Sequence, residues 1–143
     1  MFEASSIMNS APAVLKPQTP LSEAIEMISD SRYRALPVVD DDGVFLGIIS
    51  EERLLTMIED IDESEYRAGE FIQPVAACFY PDDNLIDICQ YILEKGVALV
   101  PIVSNAHKLL GVITPKELLD YNTRYQQFFA QFSESPEWLQ LTG

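Results

Sequence analysis

Residues Gly47–Leu55 read GIISEERLL, and residues Gly111–Leu119 read GVITPKELL. Each stretch runs glycine, two β-branched residues, a hydroxyl residue, two further residues, a charged residue and then Leu-Leu. The two lie 64 residues apart, and sliding the chain by 64 aligns Ile7–Thr56 with Phe71–Asp120 without a gap. Eleven of those fifty pairs are identical, among them Ala13/Ala77, Pro17/Pro81, Leu21/Leu85, Pro37/Pro101, Gly47/Gly111 and Leu54/Leu118. Most other pairs keep apolar character. Repetition on this scale means one supersecondary unit used twice.

The pattern inside each copy is the same. A short apolar strand (Ala13-Val14-Leu15; Ala77-Cys78-Phe79) runs into a proline-marked turn. Leu21, Ala24, Ile25 and Ile28, matched by Leu85, Ile88, Cys89 and Ile92, then follow at helical spacing. Thr19 and Asp83 are the expected N-caps, with Pro20 at the first helical position. A strand comes next (Leu36–Val39; Leu99–Val103), then a turn, for which Asp42-Gly43 is a strong hairpin signal and Ser104–His107 a looser one. The returning strand (Val44–Ile49; Leu109–Ile113) ends at Ser50 or Thr114, either of which can cap the helix that begins there. The unit is β-α-β-β-α, twice. One copy alone has too small a second layer to cover its sheet, so the two are expected to pack on each other.

Composition bounds the function classes. At 143 residues, with 48% apolar and 22% charged, the chain suits an ordinary globular domain. Its longest apolar run, Val97 to Val103, is too short to span a bilayer. A net charge of −14 argues against nucleic acid or an anionic membrane as partner. Met1-Phe2-Glu3-Ala4 does not read as a signal peptide, and Cys78 and Cys89 sit in apolar surroundings without metal-ligand spacing, so reduced buried thiols and a cytoplasmic location are expected.

Two tandem β-α-β-β-α units, each carrying an apolar-Pro-Val/Ile-Val strand and a Gly-apolar-apolar-Ser/Thr turn, resemble a pair of CBS domains, the Bateman module. The residues that carry the likeness are Arg34–Asp40 with Gly47–Leu55, and Gly96–Val103 with Gly111–Leu119. On this reading residues 4–58 form repeat one, 59–67 an acidic linker, 68–121 repeat two, and 122–143 an aromatic C-terminal helical tail. The fold class is α/β, with the two repeats related by a pseudo-twofold axis. The resemblance implies a regulatory module that binds AMP, ADP, ATP or S-adenosylmethionine in clefts between the repeats, requires no cofactor and pairs into disc-like dimers. Such modules are usually attached to an enzyme or transporter; this one reads as standing alone, with an unknown protein target.

Hairpin geometry predicts which residues converge. With Asp42-Gly43 as the turn, Val39 faces Leu46, Leu36 faces Ile49 and Ala35 faces Ser50. Arg34, Ala35, Ser50 and Arg53 thus gather at one sheet end, with Arg32 further out. A hydroxyl and up to three guanidinium groups make a candidate anion site; surface ion pairs with neighbouring carboxylates are the alternative. In copy two the same geometry gathers Val97, Ala98, Leu99, Thr114, Lys116 and Glu117. There the apolar residues can wall an adenine, Thr114 can bond a phosphate, and Glu117 can accept from ribose hydroxyls. The family typically has Asp at the last position of the Ser/Thr-x-x motif. Glu117 keeps the carboxylate, whereas Arg53 is a donor only and cannot hold a ribose diol. The two clefts are therefore expected to differ.

No catalytic set is visible. His107 lies in a turn and reads as solvated, and Asp40-Asp41-Asp42-Gly43 lacks the alternating spacing of a calcium loop. Tyr121, Tyr125, Phe128 and Phe132 form one aromatic stripe at helical spacing, suited either to docking on the chain's own domain or to covering a dimer partner. A ligand-free dimerisation or adaptor module with degenerate clefts is the competing reading.

Overall fold

The computed structural model describes residues 3–31, 33–57, 65–75 and 77–124, with Met57 and 121–124 as backbone alone. Arg32, most of the acidic linker and the aromatic stripe from Tyr125 onward lie outside the described residues.

Helix α1 spans Leu21–Asp30, strands β1 and β2 span Ala35–Val39 and Phe45–Ser50, and α2 spans Glu51–Met57. The second repeat gives α3 (Leu85–Lys95), β3 (Val100–Val103), β4 (Leu109–Ile113) and α4 (Pro115–Arg124). This is the α/β, twice-repeated order read from the sequence. The first strand of each unit shrinks to one parallel bridge, Leu15 on Val38 and Phe79 on Ile102. Prolines bracket both segments (Pro12 and Pro17; Pro74 and Pro81), and residues without an N–H cannot extend a ladder.

The helix starts each fall one residue later than expected. Thr19 Oγ1 accepts from the Lys16 N–H at 3.1 Å, closing the preceding turn, and α1 begins after Pro20 without a side-chain cap. Asp83 likewise accepts from the Tyr80 N–H at 2.7 Å, leaving Asn84 to cap α3 by accepting from the Ile86 N–H at 2.8 Å. The turn residues are spent on the turns.

Each hairpin is antiparallel, with Ala35 opposite Ser50 and Leu36 opposite Ile49 as expected. A bulge after Val38 then sets Val39 opposite Phe45 instead of Leu46, and the second hairpin bulges at the same place, between Ile102 and Val103. The extra residues, Leu46 and Leu110, are the ones turned outward, 41% and 37% exposed.

The repeats exchange their leading segments. Ala4 N–H donates to Asp83 O and Ser5 N–H to Pro81 O, while 64 residues on Ala68 N–H donates to Thr19 O and Gly69 N–H to Pro17 O. Asn9 and Val112 exchange two main-chain bonds of 2.8 and 3.0 Å, and Gln73 and Ile48 do the same at 2.8 and 3.0 Å. Every contact maps onto its partner by the 64-residue shift, which is the pseudo-twofold relation in hydrogen-bond form. The cores follow it. Ala4 is buried among Leu85, Ile88, Ile92 and Ile113 of repeat two, and Ala68 and Phe71 among Leu21, Ile28, Leu36 and Ile49 of repeat one.

This exchange explains the repeated glycine. A Cβ on Gly47 would lie 2.5 Å from Ile72 Cγ2 and 2.6 Å from Gln73 O; one on Gly111 would lie 2.7 Å from Asn9 O. Only a residue without a side chain lets the visiting segment pair at that distance. At the axis itself the hairpin tips join, with Phe45 N–H donating to His107 O and Leu109 N–H to Gly43 O. His107 adopts φ +63° where its counterpart Gly43 adopts +82°. Between the sheets Ala35, Leu99 and Val112 form a third buried cluster, flanked by Ile48, Ala98 and Leu109.

Cys89 is buried, which pushes its thiol up to about 12; Cys78 is only half-buried, and both are unpaired. Among the described residues no helix is long and apolar enough to cross a membrane.

Candidate functional site

The exchange decides which residues meet, and it mixes the repeats. A cleft of about 170 Å³ is walled by Ile48 of β2 on one side. Its other walls come from repeat two: Pro74, Val75 and Ala77 after the exchanged segment, Tyr91 and Lys95 of α3, and Val97 and Leu99 leading into β3. The cleft is smaller than the roughly 300–1,000 Å³ of typical drug-sized sites. It suits a flat ring, with any attached polar group lying outside. Lys95, the last residue of α3, is exposed at its margin.

Polar residues flank two of its walls in the chain. Ser50 lies two residues beyond Ile48 on the same strand face, and Gln73, next to Pro74, binds it twice. Gln73 Oε1 accepts from the Ser50 N–H at 3.0 Å and from its hydroxyl at 2.9 Å. Ser50 Oγ in turn caps α2, accepting from the Arg53 N–H at 3.2 Å. The Arg53 side chain has a buried Nε with no hydrogen-bond partner. Among the described residues neither Arg34 nor Arg53 makes an ion pair; the pairs present are Lys16–Asp41 and Lys116–Asp120.

The pseudo-symmetric place holds a different arrangement. Glu117 is 7% exposed and Thr114 2%. Glu117 Oε1 accepts from the Thr114 N–H at 2.8 Å and from its hydroxyl at 2.9 Å, and Thr114 Oγ1 accepts from the Lys116 N–H at 3.2 Å. This is a capping box at the start of α4. Glu117 Oε2 accepts from the Tyr33 hydroxyl at 3.0 Å, and Tyr33 Oη accepts from Asn9 Nδ2 at 3.0 Å. Burial raises the Glu117 carboxyl above the ordinary glutamate value, against the opposing pull of the Thr114 bonds, Tyr33 and Lys116. Burial and the neighbouring Glu117 likewise raise the Tyr33 phenol.

The residues singled out from sequence thus separate. Val97 and Leu99 line the open cleft with Ile48 of the other repeat, not with Thr114 and Glu117. Ala35 and Ala98 belong to the inter-repeat core. Arg34 is exposed, and its carbonyl accepts from the Glu51 N–H at 2.8 Å. Lys116 Nζ is engaged by Asp120 at 3.2 Å. Arg32 lies outside the described residues. Sequence reasoning missed Tyr33, Gln73, Tyr91 and Lys95. Comparing each residue with its partner 64 positions away would have flagged Tyr33, since its counterpart is Val97.

The CBS domain family model matches residues 4–60 and again residues 68–123. The chain belongs to the CBS domain family. Among CBS relatives, the choline transport ATP-binding protein OpuBA of Bacillus subtilis is 30% identical over 117 residues, covering 80% of this chain and 29% of that protein. An uncharacterized 33.4 kDa protein of Thermofilum pendens is 27% identical over 113 residues, 79% of this chain and 37% of its own length. The chain therefore spans only about a third of these relatives. Among solved structures, CBSX2 in complex with AMP superposes with a TM-score of 0.77 at 22% identity, covering 88% of this chain and 99% of that one. CbpB in complex with c-di-AMP superposes at 0.72 and 14% identity, with 91% of each chain covered. These likenesses establish a CBS-pair fold.

Proposed function

We propose that this chain is a regulatory module that binds an adenosine-containing nucleotide in the cleft between its CBS repeats. The observation that carries the reading is an apolar, ring-sized cleft whose Ile48 wall leads, two residues on, to Ser50, the cap of the helix on which Arg53 holds a buried guanidinium nitrogen without a partner. The base lies against Ile48, Val97 and Leu99, and the anionic end reaches toward Arg53 and Lys95. A buried donor left unpaired costs about 1–3 kcal/mol, so a ligand oxygen that satisfies Arg53 Nε gains from a penalty the empty protein already carries. Relatives of the same fold that are solved with AMP and with c-di-AMP share the adenosine part, which supports that ligand class. The chain acts in the cytoplasm as a homodimer whose geometry an unidentified protein target reads. A coupling of about 1–3 kcal/mol between ligand and conformational states suffices for that role.

A thermal-shift series with AMP, ADP, ATP and S-adenosylmethionine tests the reading. Ligand at a hundred times its Kd adds about 2.7 kcal/mol, which for a chain of this size raises Tm by about 5–10 °C. Val97→Trp, which fills the cleft, abolishes the rise while the protein stays folded. A flat series across all four ligands sinks the proposal and leaves the ligand-free adaptor reading in its place.

A further inference from the structure

The 64-residue relation places Tyr33 where the open cleft has Val97, and it pairs Glu117 with Arg53, each three residues after the hydroxyl residue that caps its helix. In repeat one the larger residue does not merely occupy the position. Its hydroxyl spans 84 residues of sequence to reach Glu117 Oε2 at 3.0 Å, and it is steadied by Asn9 Nδ2 at 3.0 Å. Glu117 Oε1 is consumed by both Thr114 donors, so Oε2 is the carboxylate oxygen left to meet an outside hydroxyl. Tyr33 supplies that hydroxyl from within the chain.

We infer that Tyr33 shuts the second inter-repeat cleft, the one that holds Thr114 and Glu117, by serving as a built-in hydroxyl ligand to Glu117. The inference rests on the proposed adenosine reading for ligand class, but it concerns a different cleft. A ribose diol would displace the phenol and bond to Glu117 Oε2 in its stead. The consequence is a module that takes one nucleotide per chain, in the cleft beside Arg53, although the fold offers two places. Tyr33 is a specificity-determining residue here, acting by exclusion.

The experiment is isothermal titration of AMP into the full chain and into Tyr33→Val, which installs the counterpart residue, each checked for folding by circular dichroism. The wild type is expected to bind one AMP and Tyr33→Val two, with the gained site weakened at least tenfold by adding Glu117→Gln, whose amide oxygen still caps Thr114. If Tyr33→Val is folded and still binds one AMP, the latent site is refuted and the open-cleft reading stands. If the wild type binds none while Tyr33→Val binds one in a Glu117-dependent manner, the latent site is supported and the open-cleft reading fails. A wild type that already binds two AMP refutes exclusion by Tyr33, and no binding to either protein overturns both readings. Should Tyr33→Val not fold, Tyr33→Leu removes both the ring and the hydroxyl and releases Glu117. A rise in stoichiometry supports the inference, and an unchanged value overturns it.

Discussion

Gln73 Oε1 sits 3.0 Å from the Ser50 main-chain nitrogen and 2.9 Å from its hydroxyl, taking over in repeat one the two bonds that Glu117 Oε1 makes to Thr114 in repeat two. The reason is local chemistry. A capping box needs an acceptor three residues after the hydroxyl residue; Glu117 is one, and Arg53, with five donors and no acceptor, is not. The missing acceptor arrives from the other repeat on the exchanged segment, so the α2 cap is also a tie between the two halves.

Replacing Gln73 should therefore cost more than a surface glutamine would. Gln73→Ala leaves the Ser50 N–H and hydroxyl without their acceptor and is expected to lower unfolding free energy by about 1–3 kcal/mol. In urea denaturation, Gln73→Ala and Ser50→Ala should be coupled by at least about 0.5 kcal/mol. Strict additivity would mean the pair contributes nothing as a pair.

The two motif glycines should be intolerant through close approach, which acts alone at Gly111 and adds to a φ of +153° at Gly47. Gly47→Ala and Gly111→Ala push a methyl group to within 2.7 Å or less of main-chain atoms of the visiting segment. Overpacking of this kind costs about 1–3 kcal/mol, and here it opposes docking of the repeats. Gly43→Ala meets nothing within 4 Å and suffers only from its φ of +82°, a penalty of about 1 kcal/mol. Thermal denaturation of the three variants should rank Gly43→Ala as the mildest. Equal losses would remove the close-approach explanation.

Stability should depend on pH through Glu117. Its folded carboxyl is raised above the unfolded value by burial, so the folded state holds the proton more tightly. Folding then loses stability as pH rises from near 4.5, the ordinary value, through the raised folded value, and the loss is complete above it. Tyr33, Thr114 and Lys116 face or influence this carboxyl and set where the window closes. Glu117→Gln keeps an acceptor for Thr114 and should flatten this part of the stability–pH curve between the two values. An unchanged slope in Glu117→Gln would assign the dependence to other carboxylates.

The fold was legible because the repeat doubled every weak signal. Leu21/Leu85, Pro37/Pro101 and Gly47/Gly111 each say little alone, and together at one offset they specify two packed copies of one unit. The site was legible only in part. The asymmetry between Arg53 and Glu117 is visible in the sequence, yet its first consequence lies in how two helices are capped. Local hairpin geometry grouped Val97 and Leu99 with Glu117, whereas the exchange puts them in one cleft with Ile48 of the other repeat. Contacts between segments distant in the chain, such as Asn9 with Val112, leave no local periodicity to read. The first strands failed for a nearer reason: a short apolar run suggested a strand, and bracketing prolines allowed one bridge.

The central claim, that a nucleotide enters the cleft shared by Ile48 and the Val97–Leu99 segment, is tested most directly by titrating AMP into isotopically labelled protein and following its amide and arginine side-chain NMR signals. The account predicts saturable shifts at Ile48, Val75, Lys95, Val97 and Leu99 together with the Arg53 Nε–H, while Thr114 and Glu117 stay still. An Arg53 Nε–H and cleft amides that do not move at saturating AMP would contradict it.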